Sequence, residues 1–208
     1  MIIGKRIVSV TNADTDYISV SEAKQHLRVT SSADDAYISS LIGAALDMAS
    51  HYVGYEVRES VCRYGFGELV GQPATVNPLN GAPLLAGNYC RIPARVISLD
   101  EFYYVNQNNA LVSFSDYITE PEPLSNFGLD LYLNSTAPNS TDAQTKYVAE
   151  VTEGFTPSEF SESMKMACLL MVAQYYDNRQ NIIVGVSATE MPYGADFLLN
   201  KFKISTFS

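Results

Sequence analysis

The sequence has no tryptophan, two histidines, three cysteines, and 13 basic residues against 23 acidic ones. Each scarcity removes a class of function. Cys62, Cys90 and Cys168 lie far apart and form no C-x-x-C pair, so neither a disulfide framework nor a zinc site is indicated. Buried free thiols acting as small hydrophobes are the expectation. His26 and His51 fall in different predicted helices, without a carboxylate or cysteine at ligand spacing. G-x-S-x-G, H-E-x-x-H, Walker A and G-x-G-x-x-G patterns are missing. No apolar run approaches the roughly 20 residues of a membrane helix. The opening MIIGKRIVSVTNADTD lacks the apolar stretch and small-residue cleavage site of a secretory signal. Synthesis and folding in the cytoplasm are therefore the default expectation, and Asn134-Ser135-Thr136 and Asn139-Ser140-Thr141 read as polar loop. Without tryptophan, the 14 tyrosines make a weak sugar-binding platform. They fit sheet faces or protein interfaces better, where one end of the ring is apolar and the other polar.

What is present is a globular composition of 208 residues, 47% hydrophobic, with a net charge of −10. Between Ala110 and Glu162, nine acids (Asp116, Glu120, Glu122, Asp130, Asp142, Glu150, Glu153, Glu159 and Glu162) face one base, Lys146. Such a surface repels phosphate and disfavours attractive nucleic-acid binding, although a wall past which DNA slides would carry the same sign. Asp34-Asp35 lacks the further oxygen ligands of a cation loop and reads as helix-start acid. Glu120, Glu122 and Asp130 flank a proline-rich connector rather than forming a recognisable glycosidase pair.

Local signals predict helices at both ends and strands between. Ser19 with Glu22 is a capping box, Ile18 can staple onto Ala23, and the helix it opens ends near Val29. A longer helix starts at Asp34-Asp35, repeats Ile38, Leu41, Ile42, Ala45, Met48, Ala49 and Tyr52 at helical spacing, and stops at Gly54. Strands are predicted near Glu56–Phe66, Tyr89–Ile92, Val96–Val105, Ala110–Phe114, Leu129–Asn134 and Tyr147–Glu153, with a hairpin over Phe102–Leu111. Asn77–Pro83 and Asn134–Thr145 read as loops. Helix returns either at Thr156, followed by Pro157 and Glu159, or at Ser161, and runs through Met164–Arg179. After a turn at Met191-Pro192-Tyr193-Gly194, a short helix covers Ala195–Phe202. The expected fold is α+β: a small bundle of N- and C-terminal helices (1–54 and 156–208) with an antiparallel β-rich domain (55–155) inserted between them.

Several blocks then resemble one family. ISVSEAKQHLRV followed by DDAYISSLIGAALDMASHYVGYEV is similar to the opening of tailed-phage head–tail connector proteins, also called adaptor or head-completion proteins. RIPARVISLDEFYYVNQNNALVSFSDYI resembles that family's proline-bearing strand and hairpin, and YVAEVTEGF its strand leading back to helix. MKMACLLMVAQYYDNRQ is similar to its long helix ending in Tyr-(Asp/Glu)-Asn-Arg, and MPYGADFLLNKFKI to its closing turn and short helix. Ser161 stands where the family often has proline, and the first 17 residues have no counterpart.

The resemblance implies a structural virion protein at the head–tail junction, with no catalytic residue and no cofactor. It implies a homo-oligomeric ring, a dodecamer, below the portal protein. That ring would extend a channel through which DNA passes without specific binding and dock a stopper or tail protein, with no membrane involved. Met164, Cys168, Met171, Tyr175, Tyr176, Asp177 and Arg179 are the candidates for subunit packing. Ile182, Ile183, Val184, Phe202, Lys203 and Phe207 are the candidates for portal docking. A helix apolar over most of its circumference must be covered on several sides, and two covers are open here: a neighbouring subunit, or the chain's own helices and strands. Another tail or baseplate component, or a carbohydrate-binding β module, are the competing readings.

Overall fold

The structure, a computed structural model, describes residues 2–67, 89–119, 128–133, 146–178 and 193–203. In chain order its elements are β1 (Ile2–Val10), α1 (Asp14–Tyr17), α2 (Val20–Leu27), α3 (Asp35–Val53), β2 (Ser60–Phe66), β3 (Tyr89–Ile92), β4 (Val96–Val105), β5 (Leu111–Ser113), β6 (Tyr117–Thr119), β7 (Leu129–Leu133), β8 (Tyr147–Glu153), α4 (Glu162–Asp177) and α5 (Tyr193–Asn200). They form two compact units, one from Met1–Val10 and Ser60–Gly154, the other from Thr11–Glu59 and Phe155–Ser208. This α+β organisation with antiparallel sheets agrees with the expected class. The first ten residues do not go with the helices, as the expected 1–54 segment had them, but form a strand of the β unit.

The β unit holds a five-stranded sheet of order β1-β2-β8-β4-β5 and a three-stranded sheet of order β3-β7-β6. Every pairing is antiparallel. Alternation gives the large sheet one dry face: Ser60, Cys62, Tyr64 and Phe66 on β2 are buried, as are Ala149, Val151 and Glu153 on β8. Arg63 and Glu150 point the other way and pair with each other. The hairpin from β4 to β5 turns through Asn106–Asn109. The Asn106 side chain accepts from the Asn108 and Ala110 amides, and Asn109 takes the left-handed conformation at φ 57° that asparagine tolerates.

In the helical unit, Ser19 caps α2 by the reciprocal bonds foreseen for Glu22, and Gly54 closes α3 at φ 90°. The buried stripe of α3 (Ile38, Leu41, Ile42, Ala45, Leu46, Ala49, Val53) faces α4, which also contacts α2 and α5. One expected helix start is corrected. Thr156–Glu159 makes only a turn, and α4 begins after Ser161, whose hydroxyl accepts from the Met164 amide. The reason is Phe160, buried edge-on against Tyr17 at 5.2 Å and Phe155 at 6.5 Å, which turns the chain inward before the helix can start. Tyr193 and Gly194, expected in a turn, are the first residues of α5. The loops expected at Asn77–Pro83 and Asn134–Thr145 lie outside the described residues.

Candidate functional site

The functional candidates are surfaces, and the long helix α4 carries the first. Met164, Ala167, Cys168, Met171 and Val172 are all buried. Met164, Cys168 and Met171, expected to pack against a neighbouring subunit, are fully covered within the chain and have no surface to offer. The stripe is core because α3, α2 and α5 converge on it. The C-terminal end of α4 differs. Tyr175 and Tyr176 are half-buried and Asp177 is exposed. The Tyr176 hydroxyl donates to Asp34 Oδ2 at 2.6 Å, which ties the end of α4 to the start of α3, and its ring lies 6.1 Å from that of Tyr37. Burial raises the Tyr175 hydroxyl pKa, keeping it a neutral donor. Arg179 lies outside the described residues.

The second surface is α5. Ala195, Leu199 and Phe202 turn inward, and Phe202 packs edge-on against Phe155 at 6.0 Å. Phe202 is therefore part of the core and not a docking residue. Lys203 is exposed and sits over the Tyr52 ring at 4.9 Å. What α5 presents outward is Phe197, 82% exposed, beside a shallow cleft of about 490 Å³ lined also by Tyr52, Gly194, Asp196 and Asn200. Phe197 was missed as a surface residue because α5 is short and dense in apolar residues. The legible signal was its position off the Ala195, Leu199, Phe202 stripe. Ile182, Ile183, Val184 and Phe207 lie outside the described residues.

Two charge clusters stabilise the units from within. In the helical unit Arg58 donates to Glu56 and Asp14, each at 2.8 Å, and to Asp47 at 2.6 Å. Burial opposes its charge, but the bonds to Glu56 and Asp14 outweigh burial and raise its pKa. Gly43 makes room for this cluster, since a Cβ there would stand 2.7 Å from Asp14 Oδ2. In the β unit the buried Glu153 receives Lys5 from β1 and the Tyr64 hydroxyl from β2. Burial and the neighbouring carboxylate push the tyrosine pKa up, so it serves as a donor. The three cysteines are free and buried, as expected. Burial raises the Cys62 thiol to about 11, and Cys90 and Cys168 to about 12. Such thiols are poor nucleophiles and poor ligands. Among the described residues no group of three His, Cys, Asp or Glu is arranged to hold a metal, and no helix is long and apolar enough to cross a membrane.

The third surface is the rim of the large sheet. β1 is an edge strand exposed along nearly its whole length, with Ile3, Ile7, Val8 and Val10 between 39% and 47% exposed. A long edge with this much apolar surface is a template for pairing with another chain.

Residues 17–79 match the family model described as phage gp6-like head-tail connector protein. The resemblance read from the residues is thus found independently over that stretch. No curated protein matches the chain. Among solved structures the chain is similar to one from the neck of an empty gene transfer agent (GTA) particle computed with C6 symmetry, at 18% identity and a TM-score of 0.69, covering 97% of this chain and 95% of that one. It is similar to one from the virion of the native gene transfer agent particle, at 19% identity and a TM-score of 0.66, with the same coverage of both chains. A third, from the neck of the native particle computed with C12 symmetry, gives 17% identity, a TM-score of 0.62, and coverage of 95% and 94%. At these identities the likeness is one of fold, and it extends over nearly the whole chain.

Proposed function

We propose that this chain is a structural component of the head–tail junction of a phage-like particle. It acts as an adaptor, repeated twelve times in a ring below the portal, that extends the DNA channel and docks a stopper or tail protein. The observation that carries this reading is the fold likeness to neck chains over 97% of the sequence. The connector-family match over residues 17–79 supports it from the other side. In this reading the helices of both chain ends form one bundle around α4, and the β domain is its insertion.

The surfaces divide accordingly. Tyr175, Tyr176 and Asp177 at the end of α4 are candidates for contact with a neighbouring subunit, together with Arg179. Lys203 just beyond α5, Ile182–Val184 and Phe207 are candidates for the portal, and Phe197 joins them because an exposed aromatic beside a cleft suits an anchor role. The acidic surplus suits a conduit that DNA crosses without sticking. Nothing in this role calls for a catalytic group or a cofactor.

The test is genetic and visual. Removing the gene from a producing strain should leave filled or leaking heads and free tails that fail to join, and resupplying the chain should restore joined particles. Normal tailed particles in its absence overturn the proposal.

A further inference from the structure

Among the described residues, the large sheet has two open edges of opposite character. On one side lies β1 with its exposed isoleucines and valines. On the other, β5 pairs only with Tyr103–Val105 of β4. Among the described residues, no strand pairs with Val96–Glu101 on that side. Apolar side chains are exposed here too, Ile97 on β4 and Leu111 on β5.

The register sorts charge between these edges. Arg6 on β1 stands opposite Arg63 on β2, Arg63 opposite Glu150 on β8, and Glu150 opposite Glu101 on β4. Directly paired residues share a face. One row across the sheet therefore reads positive, positive, negative, negative. The inner pair is satisfied by the Arg63–Glu150 ion pair. The outer two, Arg6 and Glu101, are exposed at opposite rims, where Glu101 accepts from the Ser113 hydroxyl of β5 at 3.2 Å and keeps its charge without an ion-pair partner among the described residues. Asp100 adds a second carboxylate at the acidic rim, held in place by the hydroxyls of Ser98 and Thr152, each at 2.7 Å.

Strand direction also fits a contact between these two edges. Three antiparallel pairings separate β1 from β4, so the two strands run in opposite senses. A β1 from another copy laid beside the open half of β4 arrives antiparallel, which is the pairing this sheet already uses. Edges that differ from each other but match across copies make a head-to-tail contact, which closes into a ring when the rotation permits.

We infer that β1 of one copy adds to the open edge of β4 in the next, with Arg6 facing the Asp100/Glu101 rim, so that the sheets of neighbouring subunits join. This rests on the ring proposed above and names the surface that builds it. The occupant is a second copy rather than an unrelated partner because both complementary edges lie on the same chain.

The test uses Arg6→Glu, Glu101→Arg and the double exchange, expressed in place of the native chain in assembling particles. Each single reversal should lower the fraction of chain recovered in necks by about tenfold or more, since Arg6→Glu sets a carboxylate against Asp100 and Glu101 and Glu101→Arg sets two guanidinium groups together, and the double exchange should restore much of it, Asp100 being unchanged. Circular dichroism and melting of the purified variants check that each still folds. Hydrogen exchange supplies a readout without mutation: the amides of β1 that point away from β2, and those of residues 96–101 that point away from β8, should exchange fast in the free chain and slowly in the ring. Rings with unchanged exchange at both edges, or single reversals that assemble normally, overturn the pairing and leave the ring standing. Two damaging single reversals that the double exchange does not rescue also overturn it and point to another partner at each edge. A native chain absent from every neck overturns the ring and the pairing together.

Discussion

Arg58 Nε donates to Glu56 Oε1 at 2.8 Å, across only two residues of chain, and Glu56 is 4% exposed. A carboxylate this deep needs its charge balanced on the spot, and Ser50 Oγ adds a further bond at 2.9 Å. Withdrawing the guanidinium from a buried carboxylate costs about 3 kcal/mol or more. Arg58→Met should therefore lower the urea midpoint steeply with little change in slope. Arg58→Met combined with Glu56→Gln should recover much of the loss. An unchanged midpoint in the single variant would remove this cluster from the account of stability.

Acid sensitivity has a local source at the start of α2. The Ser19 amide and hydroxyl, and then Lys165, hold the Glu22 carboxyl at about 2, below its ordinary 4.5. A depressed carboxyl contributes stability that is fully present above about pH 4.5 and is lost as pH falls towards about 2. The side chain is 43% exposed, so solvent screens the effect to about 1 kcal/mol or less. Glu22→Gln should flatten the pH dependence of the melting temperature in that window and leave it unaltered above pH 6. An identical acid slope in the variant contradicts the assignment.

The thiols give a check on packing. With Cys62, Cys90 and Cys168 buried and their pKa values raised to between about 11 and about 12, the native chain should react with a disulfide reagent at pH 8 at the rate of global unfolding. In concentrated urea all three should react at once. Fast reaction of any of them in the native state would show that its cover is not formed.

Phe197 and Phe202 separate docking from stability on one short helix. Phe202→Ala empties a buried site against Phe155 and should cost about 3 kcal/mol. Phe197→Ser changes an exposed residue and should move stability by less than about 0.5 kcal/mol. Only the Phe197 variant should then fold normally and fail to join heads to tails. A fully active Phe197 variant removes it from the docking surface.

How much of this was legible in the sequence depends on how local each cause is. The Ser19–Glu22 cap and the strands at Tyr89–Ile92, Val96–Val105 and Tyr147–Glu153 rest on spacings within one element and were read correctly; of the α3 stripe, Ile38, Leu41, Ile42, Ala45 and Ala49 are buried as expected, whereas Leu46 and Val53 are buried in place of Met48 and Tyr52, which are half-buried. β1 was missed because both its faces are exposed, so IIGKRIVSV has no alternation to read. The start of α4 was ambiguous between two good caps, and a tertiary contact, Phe160 against Tyr17 and Phe155, decided it. That α4 is buried was legible; what covers Met164, Cys168 and Met171 was not, because cover belongs to α2, α3 and α5. The charge row from Arg6 to Glu101 joins four strands through their register, and no sequence spacing contains it.

The most direct test of the central claim is a reconstruction of the neck of purified particles from a strain carrying this gene. The account predicts a ring of copies with this fold at the head–tail junction, around the channel and against the portal. Density for the fold elsewhere in the particle, or its absence from particles by mass spectrometry, would contradict it.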